Sequence, residues 1–216
     1  MRKGQALVET ALIAPLLIFM LIGVFEVGWA LRSYLVLTNA SREATRFAIR
    51  PNYLTYDETG YQKVVSHTFI TLSGQLEFDK YGTEIISVIS IDTQWVCDPD
   101  KILTCNCHDA VTSPYSQTLV MTPLTQPTLT YKYPITSTKT TRLNFIELVD
   151  ELVPFEREFN CNLMKHGKSP AIDTMIYVEL FYDQPQLFGF PLISNPLTDP
   201  VPMYGHTVMR KILLRE

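Results

Sequence analysis

The side chains grouped most as chemistry would group them are Cys97, Cys105, Cys107, His108 and Asp109. Zinc takes Cys and His in compact tetrahedral sets, and Cys105-Asn106-Cys107-His108 offers three such donors. The Cys-x-Cys step is tighter than the roughly two to four intervening residues usual in such sites, and no second close pair exists. Disulfides are the better reading. Cys97, Cys105, Cys107 and Cys161 form an even set with three possible connectivities. Neighbours as close as Cys105 and Cys107 do not favour each other, so each looks to Cys97 or Cys161. A bond there would restrain a loose loop, typically by about 2–4 kcal/mol. No nucleophile elbow, phosphate-binding glycine loop or metalloprotease motif is present. Ser194, in a Pro-rich stretch, and His67, on a helical stretch, read as structural or surface groups. The sequence therefore predicts no catalytic, cofactor-binding or metal residue. A membrane-tethered hydrolase would need catalytic side chains converging in a pocket.

Two acids carry a different chemistry. Between Glu9 and Arg32 run twenty-two residues, TALIAPLLIFMLIGVFEVGWAL, whose only charge is Glu26. As a helix this stretch reaches about 33 Å, enough for a hydrocarbon core of roughly 30 Å. Glu9 stands at its edge, at headgroup level. Glu26 lies inside it, where an unpaired carboxylate in lipid is costly. It either snorkels to the far boundary or pairs with another helix.

The rest of the first fifty residues must position those acids. A secretory signal peptide has a similar basic start, and Ala11 to Phe25 would fit its apolar length, but such a peptide ends at a small-residue cleavage site. EVGWALRSY, with Trp29 inside it, is a poor site of that kind, so a retained anchor is favoured. Beyond Arg32, the run SYLVLTNASREATRFAIR has no Pro or Gly before Pro51. Tyr34, Leu37, Ser41, Ala44 and Ala48, with Leu35 beside them, recur at helical spacing, while Arg42 and Arg46 mark a wetter face. A helix from Gln5 to Ile49 would be roughly 67 Å long, bent or loosened at Pro15 and closed by Pro51.

This opening resembles class III signal peptides of type IV pilins, and more closely the TadE-like pseudopilins of tight-adherence (Flp-type) pilus systems. The matching words are Gly4-Gln5-Ala6-Leu7-Val8-Glu9, the apolar helix with Pro15, Phe25-Glu26, Asn39-Ala40, Arg42-Glu43-Ala44 and Arg46-Phe47-Ala48. The tail, Met175-Ile176-Tyr177-Val178-Glu179-Leu180-Phe181-Tyr182 and then Gly205-His206-Thr207-Val208-Met209-Arg210, is similar to the same family. The resemblance implies cleavage between Gly4 and Gln5 by a membrane-embedded prepilin peptidase, leaving Glu9 as the fifth residue of the mature chain. There it can neutralise a neighbouring subunit's free α-amino group, both charges being paired in a low-dielectric assembly. Implied partners are other pseudopilins or pilins, the inner-membrane assembly platform and the lipid bilayer. The alternatives with the same anchor are a TadF-like or TadG-like relative, a subunit of a type II secretion pseudopilus, or another anchored envelope structural protein.

Orientation divides the simple rules. Arg32, Arg42, Arg46 and Arg50 follow the span and by themselves would hold the C-terminal bulk in the cytoplasm. Arg2 and Lys3 at the N-terminus, the cysteines and the resemblance together favour a cytoplasmic N-terminus and an extracytoplasmic head in a bacterial cytoplasmic membrane. The formal net charge of -4, without a basic block interleaved with aromatics, argues against a nucleic-acid partner.

The expected organisation is a leader over 1–4, a transmembrane and stalk helix over 5–50, and an α+β head over 51–216. Within the head, Tyr61–Phe78 reads as a helix with an apolar stripe at Val64/Val65, Thr68/Phe69, Leu72 and Leu76. Arg142–Val153 reads as a further helix. Strands are expected over Glu84–Val96, within Leu119–Tyr133, over Ile172–Tyr182 and over Tyr204–Leu214. The proline-rich run 183–203 reads first as a loop over the core, and second as an apolar surface for a partner pseudopilin. The fold class is thus α+β: a long N-terminal helix, then a pilin-like head of antiparallel strands and two shorter helices.

Overall fold

A computed structural model describes residues 2–50, 58–96, 118–123, 129–144, 147–148, 173–187 and 200–212. The four cysteines, the loop that holds most of them, the greater part of the expected helix Arg142–Val153 and the centre of the proline-rich run, Ser194 included, lie outside the described residues.

Helix α1 spans Arg2–Ala48, continuous through Pro15. Its 47 residues correspond to about 70 Å. Its two halves obey different rules. From Glu9 to Leu31 the side chains are largely exposed although most are apolar; Leu12, Leu16 and Val24 are bare. From Ser33 onward one face is buried: Ser33, Leu37, Ala40, Ser41, Ala44, Thr45 and Ala48. The sequence periodicity points to the correct side of the helix, with two corrections. Tyr34 and Leu35 are exposed, and the small residues Ala40 and Thr45 complete the stripe. Size decides this: the helix lies close to a sheet, and a tyrosine on the contact line would push it away.

Helix α2, Glu58–Leu72, buries Tyr61, Val64, Val65, Thr68 and Leu72 against α1 and the sheet. It ends earlier than the expected Phe78. Gly74 takes a left-handed φ of 76°, and Leu76 N–H closes on Leu72 O at 3.1 Å, the behaviour of a glycine C-cap. A four-residue helix α3, Phe78–Tyr81, restarts the chain and passes to β1 at Gly82. A Cβ at Gly82 would fall 2.4 Å from the Phe78 ring, so a glycine is required at this junction.

Among the described residues, five antiparallel strands form one sheet: β1 Gly82–Val96, β2 Thr118–Pro123, β3 Leu129–Tyr133, β4 Asp173–Gln184 and β5 Val201–Ile212. Strand β1 pairs with β4 along one edge. Its other edge takes β3 near the start and β2 near the end. Strand β5 lies outside β4. Glu84, Ile86 and Val88 of β1 stand opposite Leu180, Val178 and Ile176 of β4 and face the helices. The other parity brings Ile89, Met175 and Tyr177 together beneath Leu143, Leu148 and Val208. Both faces of the sheet centre are therefore covered, which is why apolar residues in β1 fail to alternate. In the expected third helix, Arg142–Asn144 are not helical, whereas Glu147 and Leu148 are, with Leu148 N–H bonded to Asn144 O at 3.0 Å.

Aromatic pairs tie the helices to the sheet: Tyr61 stacks on Tyr131, and Phe69 meets Phe78 and Tyr133 edge-on. The seam between α1 and β5 is partly polar. Thr207 of β5 meets Ser41 Oγ at 3.0 Å, and Ser41 donates to Thr38 O at 2.9 Å. Leu37 fills the core beside this seam. Leu37→Ala should cost about 2–5 kcal/mol of head stability in denaturant unfolding of the detergent-solubilised chain. Leu31→Ala, six residues earlier and exposed, should leave the midpoint almost unchanged.

Candidate functional site

Three places bear on function: the bare half of α1, the junction where it meets the head, and the polar groups inside the head. The bare half carries the residues expected to matter most. The Gly4–Gln5 bond lies within the first turns of α1. Glu9, about one turn further, is exposed. The following apolar surface would be a liability in water, and α1 is long and apolar enough to cross a membrane.

At the junction, Arg32 lies over the Trp29 ring at 5.2 Å. An aromatic and a long cation at the end of an apolar helix is the usual furnishing of a membrane boundary. Glu26 is half-buried, and its Oε2 accepts a hydrogen bond from Leu187 N–H at 3.2 Å. Sequence reasoning offered snorkelling or a neighbouring helix for this acid. The structure supplies a third partner, the backbone of the chain's own head. Two pockets adjoin here. One of about 910 Å³ is lined in part by Trp29, Phe69, Leu76, Phe78, Tyr182 and Leu187. The other, about 300 Å³, lies between Ile22–Ala30 of α1 and Gln184–Gln186 with Val201.

Two buried carboxylates in the head escaped sequence reasoning. Glu84 is fully buried on the helix-facing side of β1, and burial pushes its carboxyl up to about 8, against a smaller opposing effect of Thr68. Thr68 Oγ1 stands 3.1 Å from Val64 O and 3.0 Å from Glu84 Oε1. One hydroxyl proton cannot serve both acceptors. With Glu84 neutral, its own proton bridges to Thr68, and Thr68 donates to the backbone of its helix. Glu84 Oε2 is left without a hydrogen-bond partner, a smaller cost for a neutral acid than for a carboxylate.

Glu179, one strand away on the opposite face, is equally buried but fully engaged. It accepts from Thr141 Oγ1, from Arg142 N–H at 2.8 Å and from Tyr204 OH at 2.9 Å. Tyr204 OH meets Tyr177 OH at 3.0 Å, and burial raises both phenols. The Arg142 guanidinium covers the Tyr204 ring at 4.9 Å. These bonds fasten residues 139–144 across the back of the sheet, reinforced by Lys139 on Asp183 at 2.7 Å. The available signal was an acid amid dense β-formers in each strand; its face and its partners were not readable.

Neither carboxylate lines either junction pocket. Among the described residues, no three His, Cys, Asp or Glu side chains are grouped to hold a metal. His67 stacks on Phe47 at 4.2 Å, a packing role as expected. The described residues thus define a long apolar helix of the kind that crosses a membrane, carrying a small α+β head.

The family model for TadE-like protein matches residues 4–46, the helix alone and not the head. No curated protein and no solved structure matches the chain.

The buried acid makes a pH prediction. Glu84 keeps its proton in the folded head and loses it in the unfolded chain, so between about pH 4.5 and 8 its contribution falls as pH rises. Above that window both states are ionised and the slope vanishes. Relative to the parent, Glu84→Gln should gain stability across the window, at up to about 1.4 kcal/mol per pH unit. Denaturant unfolding at several pH values measures this, and a pH-independent difference would contradict a neutral Glu84.

Proposed function

We propose that the chain is a non-catalytic, pilin-like structural component of tight-adherence (Flp-type) pilus biogenesis. The observation that carries this reading is the single helix Arg2–Ala48, bare over its apolar half and packed into an antiparallel head over the other. The family match over residues 4–46 supports it. In this reading residues 1–4 are a leader that prepilin peptidase removes after Gly4. Residues 5–50 then form the transmembrane and stalk helix, and 51–216 the extracytoplasmic head of a single-pass protein in the bacterial cytoplasmic membrane.

The physical logic lies in the helix ends. After cleavage, Gln5 carries a new α-amino group, and Glu9 lies one turn along, exposed on the helix. Side-by-side packing in lipid pairs the acid of one subunit with the amine of the next, and desolvation of either charge alone is far more costly than desolvation of the pair. The pair thereby sets axial register between pseudopilins or pilins assembling on the inner-membrane platform. Glu26, at the far end of the span, is the second assembly residue in this reading.

Intact-mass and N-terminal peptide analysis of the membrane-extracted protein, with and without the matching peptidase, tests the proposal. The expected terminus is Gln5 in both the parent and Glu9→Ala, with recovery in pilus assemblies lost only in Glu9→Ala. A terminus near residue 30 would make the apolar segment a conventional signal peptide. An uncut Met1 would remove the pilin-type reading.

A further inference from the structure

The connection that leaves β4 does not stay with the head. Pro185, Gln186 and Leu187 lie against α1, and Leu187 N–H reaches Glu26 Oε2 at 3.2 Å. The pocket of about 300 Å³ between this turn and the helix has Ile22, Gly23 and Val27 on one side and Pro185 and Val201 on the other. A Cβ at Gly23 would meet nothing within 4 Å, so the helix wall is notched. The Leu187 side chain is exposed beside it.

Depth identifies what fills the notch. Trp29 lies twenty residues beyond Glu9, about 30 Å along the helix, which is the thickness of the hydrocarbon core. With Glu9 at the near boundary, Trp29 and the Arg32 above its ring stand at the far one. Glu26 is then about one turn inside that boundary, and helix tilt only carries it deeper. A pocket with the lipid-facing side of α1 as its wall at that level opens onto acyl chains. Water at the boundary still reaches the carboxylate by snorkelling, and the Leu187 N–H offsets part of its desolvation.

We propose that Pro185–Leu187 form a membrane-seated foot of the head, with the Leu187 side chain in lipid and an acyl chain of the far leaflet filling the pocket beside Gly23. This rests on α1 spanning the bilayer. The foot would hold the head at one height and one rotation on the membrane surface, through contacts that a stalk alone does not make.

Tryptophan quenching in vesicles of phosphatidylcholine and phosphatidylglycerol tests it on the full chain. Trp29 and Trp95 are replaced by phenylalanine, and Leu187→Trp, Leu17→Trp and Ile135→Trp are introduced one at a time. Leu17 is exposed on the span and Ile135 is exposed on the head. Lipids brominated on the acyl chains should quench Leu187→Trp several-fold, as they do Leu17→Trp, whereas aqueous acrylamide should quench only Ile135→Trp strongly. If Leu187→Trp behaves as Ile135→Trp while Leu17→Trp is quenched by lipid, the foot is overturned and the span stands. If Leu17→Trp is also untouched by lipid, the span is overturned and the foot with it. Protection of Leu187→Trp from both quenchers that disappears as the protein is diluted in lipid would assign the surface to a second copy and overturn the lipid assignment.

Discussion

Residues 33–48 of α1 close the core of the head, and the same helix runs uninterrupted to Arg2. The head is therefore joined to the apolar segment by a rigid element whose side chains are part of both. Small residues make this possible: Ala40, Ser41, Ala44, Thr45 and Ala48 let the helix approach β5 closely enough for Ser41 and Thr207 to bond directly. Any force on the apolar half is transmitted to the sheet through packed side chains, without a linker to absorb it. For a subunit whose helices stack against neighbours, a fixed head-to-helix geometry converts axial register in lipid into head-to-head register outside it.

Both faces of β1 and β4 are covered, and each face buries a carboxylate. On the helix side, Glu84 is tolerated as a neutral acid linked to Thr68. On the other side, Glu179 recruits Thr141, Arg142 and Tyr204 and so secures the chain that covers that face. The two acids show opposite solutions to the same desolvation cost. One gives up its charge; the other is surrounded by donors. Glu26 shows a third solution at the junction, with a backbone N–H at hand.

Much of the architecture was legible because long elements leave periodic signals. The stalk half of α1 follows from residues at helical spacing and β4 from a run of one parity, whereas β1 is marked by dense β-formers whose alternation is blurred. The helix face was located from Leu37, Ser41, Ala44 and Ala48, but Tyr34 and Leu35 were drawn in because hydrophobicity says nothing about how close the sheet comes. The end of α2 was misplaced because Leu76 continues its apolar stripe, whereas Gly74, a weak helix former, already takes a left-handed turn. The partners of Glu84, Glu179 and Glu26 are separated from them by 16 to 161 residues, and no local pattern records such pairings. The family resemblance was legible at the N-terminus, where Gly4, Glu9 and the apolar run fall within the residues that the family model matches; the likeness read in the tail lies outside that match.

The claim that the membrane helix and the head share one core is tested most directly by hydrogen–deuterium exchange on the full chain in lipid discs. Residues 33–48 carry the face of α1 that packs into the head, and their backbone amides gain protection from that packing. They should exchange as slowly as those of β4 residues 175–182 and lose protection together with them as denaturant is added. Rapid exchange over 33–48 while β4 stays protected would mean that the stalk is a separate helix resting on an independently folded head.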